Sequence, residues 1–168
     1  NALKLLSVGL NTKETHFVLE LIQNADDNSY RRGAVPSLTF EVTSRRLVLH
    51  NNEIGFSEKN VLALCSVGES TKAKQEGFIG EKGIGFKSVF TISDCPEIHS
   101  NGFHFRFDRT NSNNLLGFVI PTWCDDGERY FRNQGTSIVL PAKEGRTFDS
   151  AVVEDISPVL LLFLRKIK

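Results

Sequence analysis

The spacing of apolar side chains predicts helices at the start of the chain and strands after them. Between about residues 12 and 27, Val18, Leu21, Ile22 and Ala25 recur at helical spacing and form one face. Thr12 or Thr15 can cap this helix. Further helices are predicted at about 57–66, 84–91 and 148–167, the last one broken near Pro158.

Alternation with a period of two predicts the strands. Leu38, Phe40 and Val42 alternate with polar residues, so 37–43 and 46–50 are expected to pair as a hairpin. More strands are predicted at about 97–100, 103–108, 116–121 and 136–140. Helices first and an antiparallel sheet after them predict an α+β protein built as a two-layer sandwich.

Composition narrows the class of protein. A chain of 168 residues, 40% hydrophobic and 24% charged, fits one soluble domain over 1–168 with a core of its own. Its 20 basic and 20 acidic residues balance, so bulk charge does not predict nucleic-acid binding. The apolar run 159–164 is too short to span a bilayer, and no membrane partner is expected. The start at Asn1 and the lack of Met predict a fragment of a larger protein.

The cysteines indicate a compartment. Cys65, Cys95 and Cys124 are odd in number, lie far apart and lack the spacing of zinc ligands. Unpaired thiols are typical of a reducing environment. We therefore expect an intracellular protein, either cytoplasmic or nuclear.

One face of the first helix carries candidate chemistry. Glu20, Asn24 and Asp27 are spaced i, i+4 and i+7, within about 60° of each other and away from the apolar face. A carboxylate such as Glu20 can act as general base for a water beside a phosphate. Asn24 offers the neutral oxygen that suits Mg²⁺, and Asp27 could anchor a ribose or tie the helix to a pocket wall. A solvent-facing polar stripe is the alternative interpretation.

A run of glycines forms the second candidate. Gly80, Gly83 and Gly85 permit backbone N–H groups to approach an anion, and the following helix points its N-terminus at the same place. The Walker pattern fails because Phe86 follows Gly85, and the dinucleotide fingerprint fails because Ser88 stands where a third glycine is needed. A glycine turn between two elements is the alternative.

Two weaker motifs lie next to strands. Asn51 ends a predicted strand and could contact a base edge, while Gly55 would let the backbone pass under the ring. Gly135 and Thr136 precede another strand, and the Thr136 hydroxyl could bond to a base. Each motif alone is a common turn composition.

Together and in this order, the four motifs resemble those of the GHKL ATPase superfamily. Its members include gyrase-type topoisomerases, ninety-kilodalton heat-shock chaperones, sensor histidine kinases and MutL-type repair proteins. The sequences of 20–27 and 77–90 are most similar to those of sacsin-like and NO VEIN-like chaperone-type ATPase domains. The likeness runs over about 5–164, nearly the whole chain.

The resemblance implies the Bergerat fold, in which helices cover a mixed, mainly antiparallel sheet and ATP lies between the helices and a lid. By resemblance, Glu20 is the general base and Asn24 holds Mg²⁺. The lid would cover about 57–79, and its Lys72 could reach phosphate on closure. The phosphates would lie against Gly80, Lys82, Gly83, Ile84, Gly85 and Phe86. Lys72 and Lys82 can equally be solvated loop lysines.

Two residues depart from the family's adenine-binding motif, because Asn51 replaces an Asp and Glu53 replaces a Gly. Asn51 can accept through its carbonyl oxygen, but a turned amide would present the reverse pattern and weaken the preference for adenine over guanine. If the charged hydrogen bond that the family's Asp makes to adenine is not replaced, the binding free energy would fall by about 1–3 kcal/mol.

The expected function is Mg²⁺-dependent ATP binding and slow hydrolysis that drives lid closure and conformational change in a larger chaperone-like protein. The implied partners are ATP and ADP, other domains of the same full-length protein, a nucleotide-dependent dimer and an unidentified client, with no direct nucleic-acid contact. Hydrolysis is expected to be weak in isolation, since family members often borrow a basic residue from a following domain. A non-hydrolysing nucleotide-sensing scaffold is the alternative, and the four His show no kinase-type acceptor setting.

Overall fold

An open six-stranded sheet organises the described part of the chain. The computed structural model describes residues 16–65, 85–111, 116–124, 134–149, 151–154, 156 and 158–167. The strands are β1 (Leu38–Thr43), β2 (Arg46–Asn51), β3 (Glu97–Ser100), β4 (Phe103–Arg106), β5 (Thr122–Trp123) and β6 (Thr136–Pro141). The helices are α1 (His16–Asp27), α2 (Glu58–Cys65) and α3 (Ala151–Glu154), with 3₁₀ helices at Lys87–Thr91 and Pro158–Phe163.

The strand order is β1-β2-β6-β3-β4-β5, and all five described pairings are antiparallel. β6 comes late in the sequence but inserts between β2 and β3. Its Thr136 pairs with Asn51 on one side and with Ser100 on the other. This register therefore brings three distant polar residues side by side at one end of the sheet.

The core lies between α1 and one face of the sheet. Side chains alternate along each strand, so Leu49, Ile98 and Leu140 face the same side. They are buried in one cluster with Phe17 and Ile22 of α1. Burying each such side chain contributes about 1.5–3 kcal/mol. This packing fixes α1 against the sheet and so fixes the position of the polar side chains on its other face.

Most of the predicted elements are confirmed. The α+β class, the β1–β2 hairpin, α2, β3 and β6 are present within a residue or two of their predicted limits. The parallel pairing implied by a mixed sheet is absent among the described strands. The stretch predicted as a helix at 84–91 continues after residues 85–86 as a 3₁₀ helix. The start of the first helix and the loop at 67–78 lie outside the described residues.

The strand predicted at 116–121 is wrong. The N–H groups of Val119 and Ile120 both donate to the carbonyl oxygen of Leu116, at 2.8 and 2.7 Å, so this stretch forms a turn. Gly117 lies inside it, and glycine weakens a strand. The strand on this side of the sheet begins only at Thr122.

The long final helix predicted at 148–167 is also wrong. Among the residues of this stretch that the structure describes, only α3 and the 3₁₀ helix Pro158–Phe163 are helical. The N–H of Phe148 donates to the carbonyl oxygen of Ser44 at 3.0 Å, which ties the start of the stretch to the β1–β2 turn. The N–H groups of 165–167 donate to the carboxylate of Asp26 at 2.7–3.1 Å. Tertiary hydrogen bonds thus hold both ends of this stretch.

Candidate functional site

Two motifs that are distant in the sequence meet beside α1. Glu20 and Asn24 are half-buried one turn apart on this helix. A Cβ atom added to Gly85 would lie 2.6 Å from Oε2 of Glu20 and 3.8 Å from Nδ2 of Asn24. A side chain at position 85 would therefore require the end of the Glu20 side chain to move. The result is a backbone position without a side chain against one acid and one amide.

A cavity of about 600 Å³, counting its open mouth, adjoins this contact. Its walls are mainly apolar, and its polar groups are amides, one carboxylate and one hydroxyl. The lining residues are Leu21, Asn24, Ala25, Asn28, Leu38, Leu49, Asn51, Glu53, Phe56, Asn60, Leu64, Phe86, Thr136 and Ile138. An apolar cleft with a few convergent polar groups is the usual form of a small-molecule site.

Four of the predicted site residues line this cavity. They come from four separate stretches: Asn24 from α1, Asn51 from the end of β2, Phe86 from the glycine motif and Thr136 from the start of β6. Phe86 is buried, and its ring packs on Phe107 with centroids 6.0 Å apart. Glu20 and Gly85 adjoin the cavity through their contact with Asn24.

Asn51 has a fixed orientation at the cavity wall. Its Nδ2 donates to the hydroxyl of Tyr30 and to the carbonyl oxygen of Ser37, both at 2.8 Å. Its Oδ1 accepts from Nδ2 of Asn28 at 3.0 Å. Burial raises the pKa of Tyr30 above 10.0, the hydrogen bond from Asn51 partly offsets this, and the negative charge of Glu53 raises it further.

Thr136 connects two neighbouring strands at the cavity wall. Its hydroxyl donates to Oε1 of Glu53 at 2.7 Å and lies 2.6 Å from Oγ of Ser100. The residue before it, Gly135, has φ +94°, and a Cβ there would collide with the backbone oxygen of Asn51. Glycine at 135 thus lets β6 begin directly against the end of β2.

Two predicted site residues point elsewhere. Asp27 does not line the cavity; it pairs with the guanidinium of Arg165, and its carbonyl oxygen accepts from Nζ of Lys166. Asp27 thus ties α1 to the end of the described chain. Gly55 packs against Asn101, whose Cβ would lie 2.7 Å from a Cβ at Gly55. That contact joins the turn after β2 to the turn between β3 and β4.

The remaining predicted site residues, Lys72, Gly80, Lys82, Gly83 and Ile84, lie outside the described residues. The same holds for the predicted lid beyond Cys65, although its first part contains α2.

The next lysine, Lys87, is described and turns away from the cavity. Its Nζ donates to the carbonyl oxygen of Phe118 at 2.6 Å and lies 4.2 Å from the centre of the Phe107 ring. Burial lowers its pKa to about 8 despite an opposing effect of nearby Cys65.

Sequence reasoning missed Glu53 and Asn28 as cavity residues. Glu53 is only 3% exposed, although a carboxylate in a polar turn is typical of a solvent-exposed position. Its place two residues after Asn51, where the resembled motif has glycine, was the available signal. Asn28 follows the end of α1 directly, and only the fold brings it to Asn51.

The described residues contain neither a cluster of metal ligands nor a membrane-spanning helix. No group of three or more His, Cys, Asp or Glu side chains there is arranged to hold a metal ion. In the same residues, no helix has the length and apolarity needed to cross a membrane.

Comparison with known proteins places these residues in context. Residues 38–114 match the family model of the sacsin domain. The protein NO VEIN of Arabidopsis thaliana is 43% identical over 190 aligned positions, which cover 99% of this chain. The chain is thus similar to the sacsin domain over 38–114 and to one part of NO VEIN over nearly its whole length.

The chain is also similar to human sacsin. It is 27% identical over 164 positions, which cover 90% of this chain. The chain spans 7% of the length of NO VEIN and 3% of the length of sacsin.

Proposed function

We propose that this chain is an ATP-binding domain of the GHKL superfamily, with the Bergerat fold, that binds Mg²⁺-ATP beside α1 and hydrolyses it slowly. The observation that carries the proposal is the contact of Gly85 with Glu20 and Asn24. At Gly85 the backbone has no side chain, so phosphate oxygens can approach its N–H groups. The Glu20 carboxylate beside it can accept a proton from an attacking water. The adjoining apolar cavity has the walls that a purine ring would need.

Magnesium fits the groups that are present. Asn24 supplies a neutral amide group at the cavity wall, next to Gly85, and Mg²⁺ takes only one or two protein oxygens when phosphates and waters supply the rest. When bound, the ion would neutralise charge on the phosphate oxygens. Glu20 remains one turn away as the group that orients and deprotonates water.

Conformational change is the second part of the proposal. α2 begins the segment that would close as a lid, and the described end of the chain is hydrogen-bonded to α1 through Asp26. Nucleotide-dependent movement of either segment would act on neighbouring domains of a longer protein. The implied partners are therefore ATP and ADP, those domains, a second copy of the protein and a client.

A non-hydrolysing nucleotide sensor is the second candidate function. It is favoured by the neutral Asn51 where the resembled motif has a charged Asp, since a neutral acceptor forms a weaker hydrogen bond. In that case the chain would bind nucleotide and change conformation without turnover.

Replacement of Glu20 by Gln separates the two functions. Glu20→Gln keeps the size of the side chain but removes the base, so ATP turnover should fall about 10²–10⁴-fold. Calorimetric affinity for Mg²⁺-ATP should stay close to that of the wild type. Glu144→Gln, at an exposed turn, is the matched control and should change neither quantity. Equal turnover by wild type and Glu20→Gln would contradict the assigned base, and tight binding without wild-type turnover would favour the sensor.

A further inference from the structure

Glu53 is a buried carboxylate in the wall of the cavity. It is 3% exposed and lines the cavity together with Asn51 and Thr136. Removing a carboxylate from water is costly unless hydrogen bonds compensate for the lost hydration. A turn residue could avoid that cost simply by being polar and neutral. The site therefore retains a charge where the resembled motif has no side chain.

A series of hydrogen bonds, through one backbone N–H and two hydroxyl groups, leads to Glu53. The N–H of Phe56 donates to Oγ of Ser100 at 2.8 Å. The single hydroxyl hydrogen of Thr136 is donated to Glu53, so in the 2.6 Å contact Ser100 must be the donor to Thr136. All donors in this series of hydrogen bonds point toward Glu53, and such aligned bonds strengthen one another. The series ends on the Glu53 carboxylate, an acceptor group at the cavity wall.

Asn51 also offers only an acceptor. Both hydrogens of its Nδ2 are donated, to Tyr30 and to Ser37. The Ser37 carbonyl oxygen can accept but cannot donate, so the amide cannot turn over without losing that bond. Its Oδ1 has two lone pairs, and Asn28 uses one of them. The ambiguity of a free asparagine amide is thus removed by its neighbours.

We infer that Glu53 selects the base: its carboxylate, in the same cavity wall as Asn51, accepts from the exocyclic 6-amino group of a purine. The inference rests on the proposed function and identifies which residue gives that site its specificity. The negative charge that the resembled motif carries at position 51 is supplied here from position 53. A purine with oxygen at carbon 6 would bring its lone pairs toward two acceptors and bind more weakly.

The decisive experiment combines one substitution with three nucleotides. Glu53→Gln keeps the side-chain volume and an oxygen that can accept from Thr136, so a purely structural role is preserved. Mg²⁺ complexes of ATP, purine riboside triphosphate and inosine triphosphate are titrated into wild type and variant by calorimetry. Purine riboside triphosphate has hydrogen in place of the 6-amino group, and inosine triphosphate has oxygen there.

The wild type should prefer ATP over purine riboside triphosphate by about tenfold or more, the range of a charge-assisted hydrogen bond. In Glu53→Gln this preference should shrink to about threefold or less, and inosine triphosphate should gain relative to ATP, because the glutamine amide can donate. Glu144→Gln is again the control and should keep the wild-type ratios.

Each remaining outcome has one meaning. An undiminished preference for ATP in a folded Glu53→Gln would overturn the inference and leave nucleotide binding intact. If the variant does not fold, the wild type still decides, since equal affinity for ATP and purine riboside triphosphate overturns the inference. A wild type that binds none of the three nucleotides at millimolar concentration refutes the proposed function itself.

Discussion

At the scale of single residues, Asn51 shows how neighbours decide what a side chain can do. The resemblance makes Asn51 a weakened substitute for Asp. Its contacts give a different reason for asparagine, because Ser37 and Tyr30 both accept hydrogen bonds from Nδ2. A carboxylate at this position could not donate to either of them.

Asn51→Asp should therefore destabilise the protein although it restores the residue of the family motif. The expected loss in free energy of unfolding is about 1–3 kcal/mol, because a buried carboxylate at this position would face the Ser37 carbonyl oxygen and could not donate to it or to Tyr30. Urea unfolding at pH 7 measures it. Asn52→Asp is the control, since Asn52 donates to the carbonyl oxygen of Val35 at an exposed site where water can replace it. An Asn51→Asp variant as stable as wild type would contradict this assignment of donors.

The sequence predicted some of these residues and could not predict others. Glu20 and Asn24 follow from helical spacing alone, and both lie beside Gly85 as a shared site requires. Glu53 could not be found from spacing, because its burial depends on β6 lying next to β2. Local composition instead favours a solvated turn for the stretch that contains it.

At the scale of elements, α1 is held at its C-terminal end by the last described residues. The N–H groups of Arg165, Lys166 and Ile167 donate to the carboxylate of Asp26. Burial alone would raise the pKa of Asp26, but these hydrogen bonds and the charge of Arg165 bring it below its ordinary value of 3.8. The Lys166 ammonium also donates to the carbonyl oxygen of Asn28, just beyond the helix.

Asp26→Asn should lower the free energy of unfolding at pH 7 by about 1–3 kcal/mol, because one acceptor oxygen becomes a donor that faces N–H groups. A depressed folded-state pKa contributes stability above the ordinary value of 3.8, which is lost as pH falls through the folded-state pKa. The difference between variant and wild type should therefore shrink as the pH falls below 3.8. Denaturant unfolding across this range measures it.

Asp27→Asn is the matched control on the same helix. Its partner Arg165 is exposed, so its loss should be about 0–1 kcal/mol. Equal effects of the two substitutions at pH 7 would contradict the role given to Asp26.

The contact between α1 and the glycine motif gives another prediction. Gly85→Ala places a methyl group 2.6 Å from Oε2 of Glu20, so one of the two must move. The expected loss of stability is about 1 kcal/mol, at the low end for overpacked sites, because Oε2 is the end of a flexible side chain. In a Glu20→Ala background this loss should be smaller by at least about 0.5 kcal/mol. A double-mutant cycle of urea unfolding measures the coupling, and strict additivity would contradict the contact.

Local patterns predicted the elements whose hydrogen bonds are local. The β1–β2 hairpin and α2 close on themselves, so their residues carry enough information. The stretch 148–167 does not, since its two ends are held by hydrogen bonds to Ser44 and Asp26. Both partners are more than a hundred residues away in the sequence, so both ends of the stretch depend on the fold.

At the scale of the whole molecule, strand order creates the candidate site. The insertion of β6 between β2 and β3 aligns Asn51, Thr136 and Ser100, and α1 covers the same end of the sheet. No local pattern specifies that insertion, which requires closing loops of many residues. The class of fold could be predicted from the order of helices and strands, whereas the strand order came from the structure.

The relatives put this site in a larger setting. The chain covers 7% of NO VEIN and 3% of sacsin. Binding energy released in the cavity could reach other parts of such a protein through α2 and through the segment bonded to Asp26. The proposed function is thus a nucleotide-dependent conformational change in a longer protein. That function requires that this chain bind nucleotide.

Calorimetric titration of ATP with and without Mg²⁺, into wild type and Asn24→Ala, tests that requirement most directly. The account predicts magnesium-dependent binding by the wild type and a loss of affinity of about tenfold or more in Asn24→Ala, since a metal ligand is removed. Gln23→Ala, the adjacent amide on α1 that does not line the cavity, should bind like the wild type. Absence of binding in the wild type, or binding that ignores both magnesium and Asn24, would contradict the account.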